Sequence, residues 1–136
     1  MDELDEKILQ ILKEDGRRPF VEIGKEVGLS EAAVRRRVQK LLKDRIIKRF
    51  TIEVERGGAS ALTMVAVSPS VPTSTVSNTL TKIRGVEVVY EITGQYDIAV
   101  LISASTIAEI NRCVDDIRRI EGVINTNTVI VLRKLG

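Results

Sequence analysis

The chain contains no histidine and only one cysteine, Cys113. Without histidine, the commonest general base near neutral pH and the commonest neutral metal ligand are both missing. A single thiol can form neither an intrachain disulfide nor a thiolate metal cluster. No apolar run approaches the roughly 18–20 residues that span a bilayer. The opening residues, MDELDEKILQ, are acidic where a secretory signal would be basic and then apolar. Low-complexity segments are absent as well, and an apolar share of 43% is enough for packed cores. These absences point to a soluble cytoplasmic protein that is not an enzyme and carries no metal or other cofactor. At 136 residues there is room for one ordinary domain or two small ones.

The charge that is present is unevenly spread. Residues 17–49 hold eleven Lys and Arg against four acids, a net of +7. Residues 1–16 are net −4, and everything from 50 onward is net −1. The basic character is therefore one patch, and the C-terminal two-thirds has no electrostatic reason to touch nucleic acid.

Within that patch, Gly28 to Phe50 reads GLSEAAVRRRVQKLLKDRIIKRF. Ser30 is a good N-cap, and Val34, Val38 and Leu41 follow at helical spacing on one side. At about 100° per residue, Ala32, Arg35, Arg36, Gln39 and Lys43 share the opposite side, a cationic stripe that carries no acid. A solvated helix usually mixes signs, so this bias asks for an anionic partner. Arg suits bidentate contact with guanine and Gln with adenine. The alternative is a merely solvated cationic face. Arg37 lies about 60° from the centre of the apolar stripe, and we expect it to pair with a carboxylate of the first helix, such as Asp5. Lys40, Lys43, Lys48 and Arg49 suit phosphates or solvent better than base edges. Upstream, residues 2–14 and about Phe20 to Val27 also have helical periodicity, with Gly16 and Pro19 between them. Gly24 is either a point of close helix approach or simply a tolerated glycine. Three short helices, the last two joined at Gly28-Leu29-Ser30, form a helix-turn-helix pattern. Ile46 to Ile52 reads as a strand leaving it.

The stretch LDEKILQILKEDGRRPFVEIGKEVGLSEAAVRRRVQKLLKDRIIKRF resembles the N-terminal domain of the Lrp/AsnC family, the feast/famine regulatory proteins. The family pattern is roughly LD, then IL, a GR before the second helix, a G-LS turn, and R-V-x-x-L followed by GII. Arg45 departs from it, standing where the family usually has glycine. A glycine caps a helix in the left-handed conformation without steric cost, so we expect a locally altered cap here. The resemblance implies double-stranded DNA as partner, with Ser30, Ala32, Arg35, Arg36, Gln39 and Lys43 as the candidate contacts.

EVERGGASA (53–61) is polar and rich in glycine, a natural linker. Beyond it the period changes. Strand-like runs occupy 62–68, 86–93, 97–105 and 123–132, with the middle two forming a hairpin across Gly94-Gln95-Tyr96. Between them lie two helical patterns, one capped by Thr73 or Ser74 and ended by Gly85, the other capped by Ser105 or Thr106 and ended by Gly122. The order βαββαβ is the ferredoxin-like arrangement, an antiparallel sheet with both helices on one face. The uncovered face has too many Val, Ile and Leu for solvent, so we expect two sheets to pack face to face in a homodimer. The resemblance adds that such dimers often assemble into octamers.

Thr93-Gly94-Gln95-Tyr96-Asp97 matches the family's T-G-x-Y-D. Glycine allows close backbone approach, backbone amides can hold a carboxylate, and Asp97 could pair with an ammonium. The resemblance implies that this turn binds a free amino acid, which makes Gly94, Gln95, Tyr96, Asp97, Thr126 and Thr128 the candidate effector residues. Asn125 and Asn127 would alternate to the other face. The alternative is an ordinary hairpin turn in which Asp97 caps its own backbone.

The expectation is an α+β chain: a three-helix helix-turn-helix domain at 1–52, a linker at 53–61, and a ferredoxin-like dimerisation and effector domain at 62–136. Its function would be sequence-specific transcription regulation under control of an amino-acid effector. An architectural DNA-coating protein without effector control is the alternative, and an enzyme built on the ferredoxin-like half is disfavoured by the missing histidine and the absence of clustered carboxylates.

Overall fold

Asp2 starts the first helix, α1 (Glu3–Glu14), with a reciprocal cap. Its carboxylate accepts from the Asp5 amide at 2.9 Å, and the Asp5 carboxylate accepts from the Asp2 amide at 3.2 Å. Two further helices follow, α2 (Phe20–Val27) and α3 (Glu31–Lys43). Ile8 and Leu12 of α1, Ile23 of α2, and Val34 and Val38 of α3 close into one buried cluster. Each such side chain contributes about 1.5–3 kcal/mol of burial before entropy is counted. Gly24 is buried where the turn after α2 folds back. A Cβ there would lie 2.3 Å from the Leu29 carbonyl oxygen, so glycine is required by close approach.

The end of α3 departs from expectation. Arg45 adopts the left-handed conformation itself, with φ 57°. Its amide donates to the Leu42 carbonyl at 3.1 Å and the Ile46 amide to the Leu41 carbonyl at 2.9 Å. The glycine-type cap is thus kept intact at a strain of about 1–2 kcal/mol, not remodelled. The strand read at Ile46 to Ile52 does not form. A strand needs a neighbour to take its backbone hydrogen bonds; this unit is otherwise helical, and Ile52 is 78% exposed.

The computed structural model describes all residues, 1–136, and they divide into two compact units, Met1–Val54 and Glu55–Gly136. The second holds β1 (Ala59–Val67), α4 (Thr73–Leu80), β2 (Val86–Glu91), β3 (Ile98–Ala104), α5 (Ile107–Arg118) and β4 (Val123–Val131). The strands form one antiparallel sheet in the order β2-β3-β1-β4. β1 begins at Ala59, inside the segment read as linker, because Ala59 pairs with Ala104 and Ser60 with Val131. α4 is capped by Pro72 without a side-chain bond, and Thr73 is already its first residue. Thr106 caps α5 by accepting from the Glu109 amide at 3.2 Å.

Alternation along the strands divides the sheet into two faces. One is covered by the helices: Ala61, Val65 and Val67 of β1 and Ile98, Val100 and Ile102 of β3 pack against Val76 and Leu80 of α4 and Ile110, Val114 and Ile117 of α5. Cys113 belongs to this core, where burial pushes its thiol pKa up. Thr63 is also fully buried on this side, and its hydroxyl meets that of Thr128 on β4 at 2.9 Å. The other face is bare, and none of its strand-paired positions is Lys, Arg, Asp or Glu; Glu87 stands unpaired at the bulge between Val86 and Val88. It presents Leu62, Met64 and Ala66 from β1, Ala99 and Leu101 from β3, Val88 and Tyr90 from β2, and Asn125, Asn127 and Val129 from β4. Tyr90 is 55% and Val129 50% exposed.

Candidate functional site

The apolar stripe of α3, Val34, Val38 and Leu41, is buried, which turns Ala32, Arg35, Arg36, Gln39 and Lys43 outward; all five are exposed. Ser30 caps the helix, accepting from the Ala33 amide at 3.1 Å. Of the eleven basic side chains between Arg17 and Arg49, three have acidic partners: Arg18 with Glu22 and Glu26, Arg35 with Glu31, and Arg37 with Asp2 and Asp5. The other eight are exposed and unpaired. Their charge is not neutralised by ion pairs within the chain, which favours a polyanion as partner.

Arg37 does face inward to α1, but it engages more than the Asp5 carboxylate expected of it. Its Nη1 lies 2.8 and 2.7 Å from the two Asp2 carboxylate oxygens and 3.2 Å from Asp5. That contact, with the Asp5 amide, lowers the Asp2 pKa from 3.8 to about 2. One carboxylate therefore caps α1 and anchors α3 at once. The stripe read as free of acid carries one at its margin. Glu31 Oε1 sits 2.7 Å from Arg35 Nη2, one helical turn away. The i, i+4 spacing of the two residues was the available signal.

In the sheet unit, Gly94 turns the hairpin with φ 113°, a conformation that strains any L side chain. Gln95 is exposed and Tyr96 half-buried. Asp97 does not cap its own turn. Its amide donates to the Val65 carbonyl at 2.9 Å, and its Oδ2 accepts from the Val67 amide at 2.8 Å, tying the turn to the end of β1. Val65 is flanked by Ile98 on β3 and Thr126 on β4, so the turn and Thr126 meet at the same end of the sheet. Thr126 Oγ1 accepts from Arg118 Nε at 3.0 Å, beside an open cavity of about 350 Å³ lined by Arg118, Val123, Ile124, Asn125 and Thr126. Arg118 was not singled out in the sequence, because nothing in it tells which strand the end of α5 will pass. Thr128 lies one step further along the same face, its hydroxyl shared with Thr63. Asn125 and Asn127 turn to the bare face, as the alternation required.

Comparison with known proteins covers both units. The AsnC-type helix-turn-helix domain matches residues 1–42, and the Lrp/AsnC ligand binding domain matches residues 60–135. The HTH-type transcriptional regulator LysM of Saccharolobus solfataricus is 51% identical over 134 residues, spanning 98% of this chain and 94% of that protein. The HTH-type transcriptional regulator FL11 of Pyrococcus horikoshii is 40% identical over 136 residues, spanning 98% and 90%. Among solved structures, a feast or famine regulatory protein from M. tuberculosis, complexed with L-methionine, superposes with a TM-score of 0.91 over 99% of this chain and 94% of that one. At 24% identity that likeness speaks for the fold. No helix is long and apolar enough to cross a membrane.

Proposed function

The chain belongs to the Lrp/AsnC family of transcription regulators, and from that premise we propose that it binds double-stranded DNA sequence-specifically under the control of an amino-acid effector. The observation that carries the DNA half is the exposed face of α3, where Arg36, Gln39 and Lys43 have no partner inside the protein. Arg35, Arg36 and Gln39 read base edges, Ser30 and Ala32 lie against the backbone and the groove floor, and Lys43 meets phosphate. Two copies joined through their bare sheet faces present two such helices to successive major grooves. The half-exposed apolar surface supports that homodimer, and octamers built from it are the further assembly we propose.

The effector half rests on the turn Gly94–Asp97 with Thr126 and Thr128. An amino acid offers a carboxylate to the amides of the turn and an ammonium to the Asp97 oxygen that Val67 leaves free. Its binding shifts DNA affinity or assembly only to the extent that it favours one state over the other. No membrane, metal or further cofactor enters this reading, which is set in the cytoplasm.

Gel-shift titration at fixed salt tests it. Arg36→Ala is expected to weaken binding to a selected site roughly tenfold or more while leaving the oligomer unchanged. Unaltered affinity would remove Arg36 from the interface. Equal wild-type affinity for selected and random duplexes would instead mean a DNA-coating protein. For the effector, calorimetry across the twenty amino acids should find a ligand whose binding Asp97→Ala weakens.

A further inference from the structure

The ion pair between Glu31 and Arg35 has no strong structural purpose. Both side chains are 53% exposed, and pairs of that kind add little to stability. Glu31 also puts a negative charge at the entry of the helix proposed to meet phosphates, which opposes DNA affinity. Yet the pair is well formed, at 2.7 Å, and the same guanidinium lies 5.7 Å from the centre of the Phe20 ring on α2. A flexible four-bond side chain is thus held on two sides, by a carboxylate from its own helix and by an aromatic face from the preceding one. One of its five N–H donors is used by Glu31, and the rest suffice for a bidentate contact with N7 and O6 of guanine. Preorganisation of this kind reduces the ordering cost of a contact that needs one geometry, and it does little for contacts that accept many.

We propose that Glu31 and Phe20 are positioning residues that set base specificity by fixing Arg35 for a single base pair, at some expense in total DNA affinity. This rests on the reading of α3 as a sequence-specific DNA reader and names how one of its side chains discriminates. Glu31 itself need touch no base.

Selection from a randomised duplex library with the full-length wild-type chain, Arg35→Ala and Glu31→Ala tests the idea. Arg35→Ala should relax the preference at one base pair per half-site. Glu31→Ala should relax that same pair, lowering discrimination there roughly fivefold to tenfold, while total affinity for random duplex rises. Adding Glu31→Ala to Arg35→Ala should relax that pair no further. Three results would overturn the inference: an unchanged preference in Glu31→Ala, relaxation at a different pair, or a uniform loss across all sequences, as a merely helix-stabilising acid would give. If the wild-type chain enriches no sequence at all, sequence-specific reading itself fails, a result distinct from these three.

Discussion

Between Arg17 and Arg49 the helical unit holds eleven basic side chains, eight of them unpaired, whereas the twenty-five residues from Gly57 to Thr81 hold no charge of either sign. Each unit leaves one face without a partner in its own core, but the faces are of opposite kinds. The face of α3 is cationic and keeps its water until a polyanion displaces counterions. The bare sheet face presents Leu62, Met64, Leu101 and Val88, which lose little by dehydration. The difference shows how a chain with a formal charge of only +2 can have one surface suited to DNA and another, apolar one on which the proposed dimer rests.

The comparison can be broken most severely at the sheet. Leu62→Asp places a carboxylate at the centre of the bare face, and sedimentation should then give the 15.1 kDa of a single chain. A mass unchanged from wild type would mean that this face is not the interface. A smaller, local effect is expected in the helical unit. Gly24→Ala drives a methyl against the Leu29 carbonyl, a clash that should cost about 2–3 kcal/mol in urea denaturation. The sheet unit's own transition should stay put if the two cores are independent. Smallest, and of opposite sign, Arg45→Gly should raise the stability of the helical unit by about 1 kcal/mol by relieving the left-handed arginine. A loss of stability there would mean that the Arg45 side chain has a partner worth more than its strain.

Much of the architecture could be read in advance because local signals agreed with one another. Ser30 and the pair Ser105-Thr106, of which Thr106 is the cap, marked helix starts, and the strand periods separated the covered face from the bare one. Where the reading failed, the missing information was tertiary. The Ile46 to Ile52 stretch, with three isoleucines and Thr51, has strand propensity, but no strand of the same chain pairs with it. Arg45 was expected to alter its cap, yet the hydrogen bonds to Leu41 and Leu42 outweigh its strain. At the sites, the outward residues of α3 followed from periodicity alone. The commitments of Asp97 to Val67, Thr126 to Arg118 and Thr128 to Thr63 did not, since each joins residues at least eight positions apart in the chain.

The hydroxyl pair of Thr63 and Thr128 has a consequence for how β4 finds its place. The strand repeats polar residues, Asn125-Thr126-Asn127-Thr128, so polarity alone distinguishes its two faces poorly. A slip of one position would set either Val129, which offers the sequestered Thr63 hydroxyl no partner, or the bulkier amide of Asn127 in the place of Thr128. The pair therefore works as a key cut for one alignment, rejecting mispaired sheets during folding, while contributing little to the strength of the correct one.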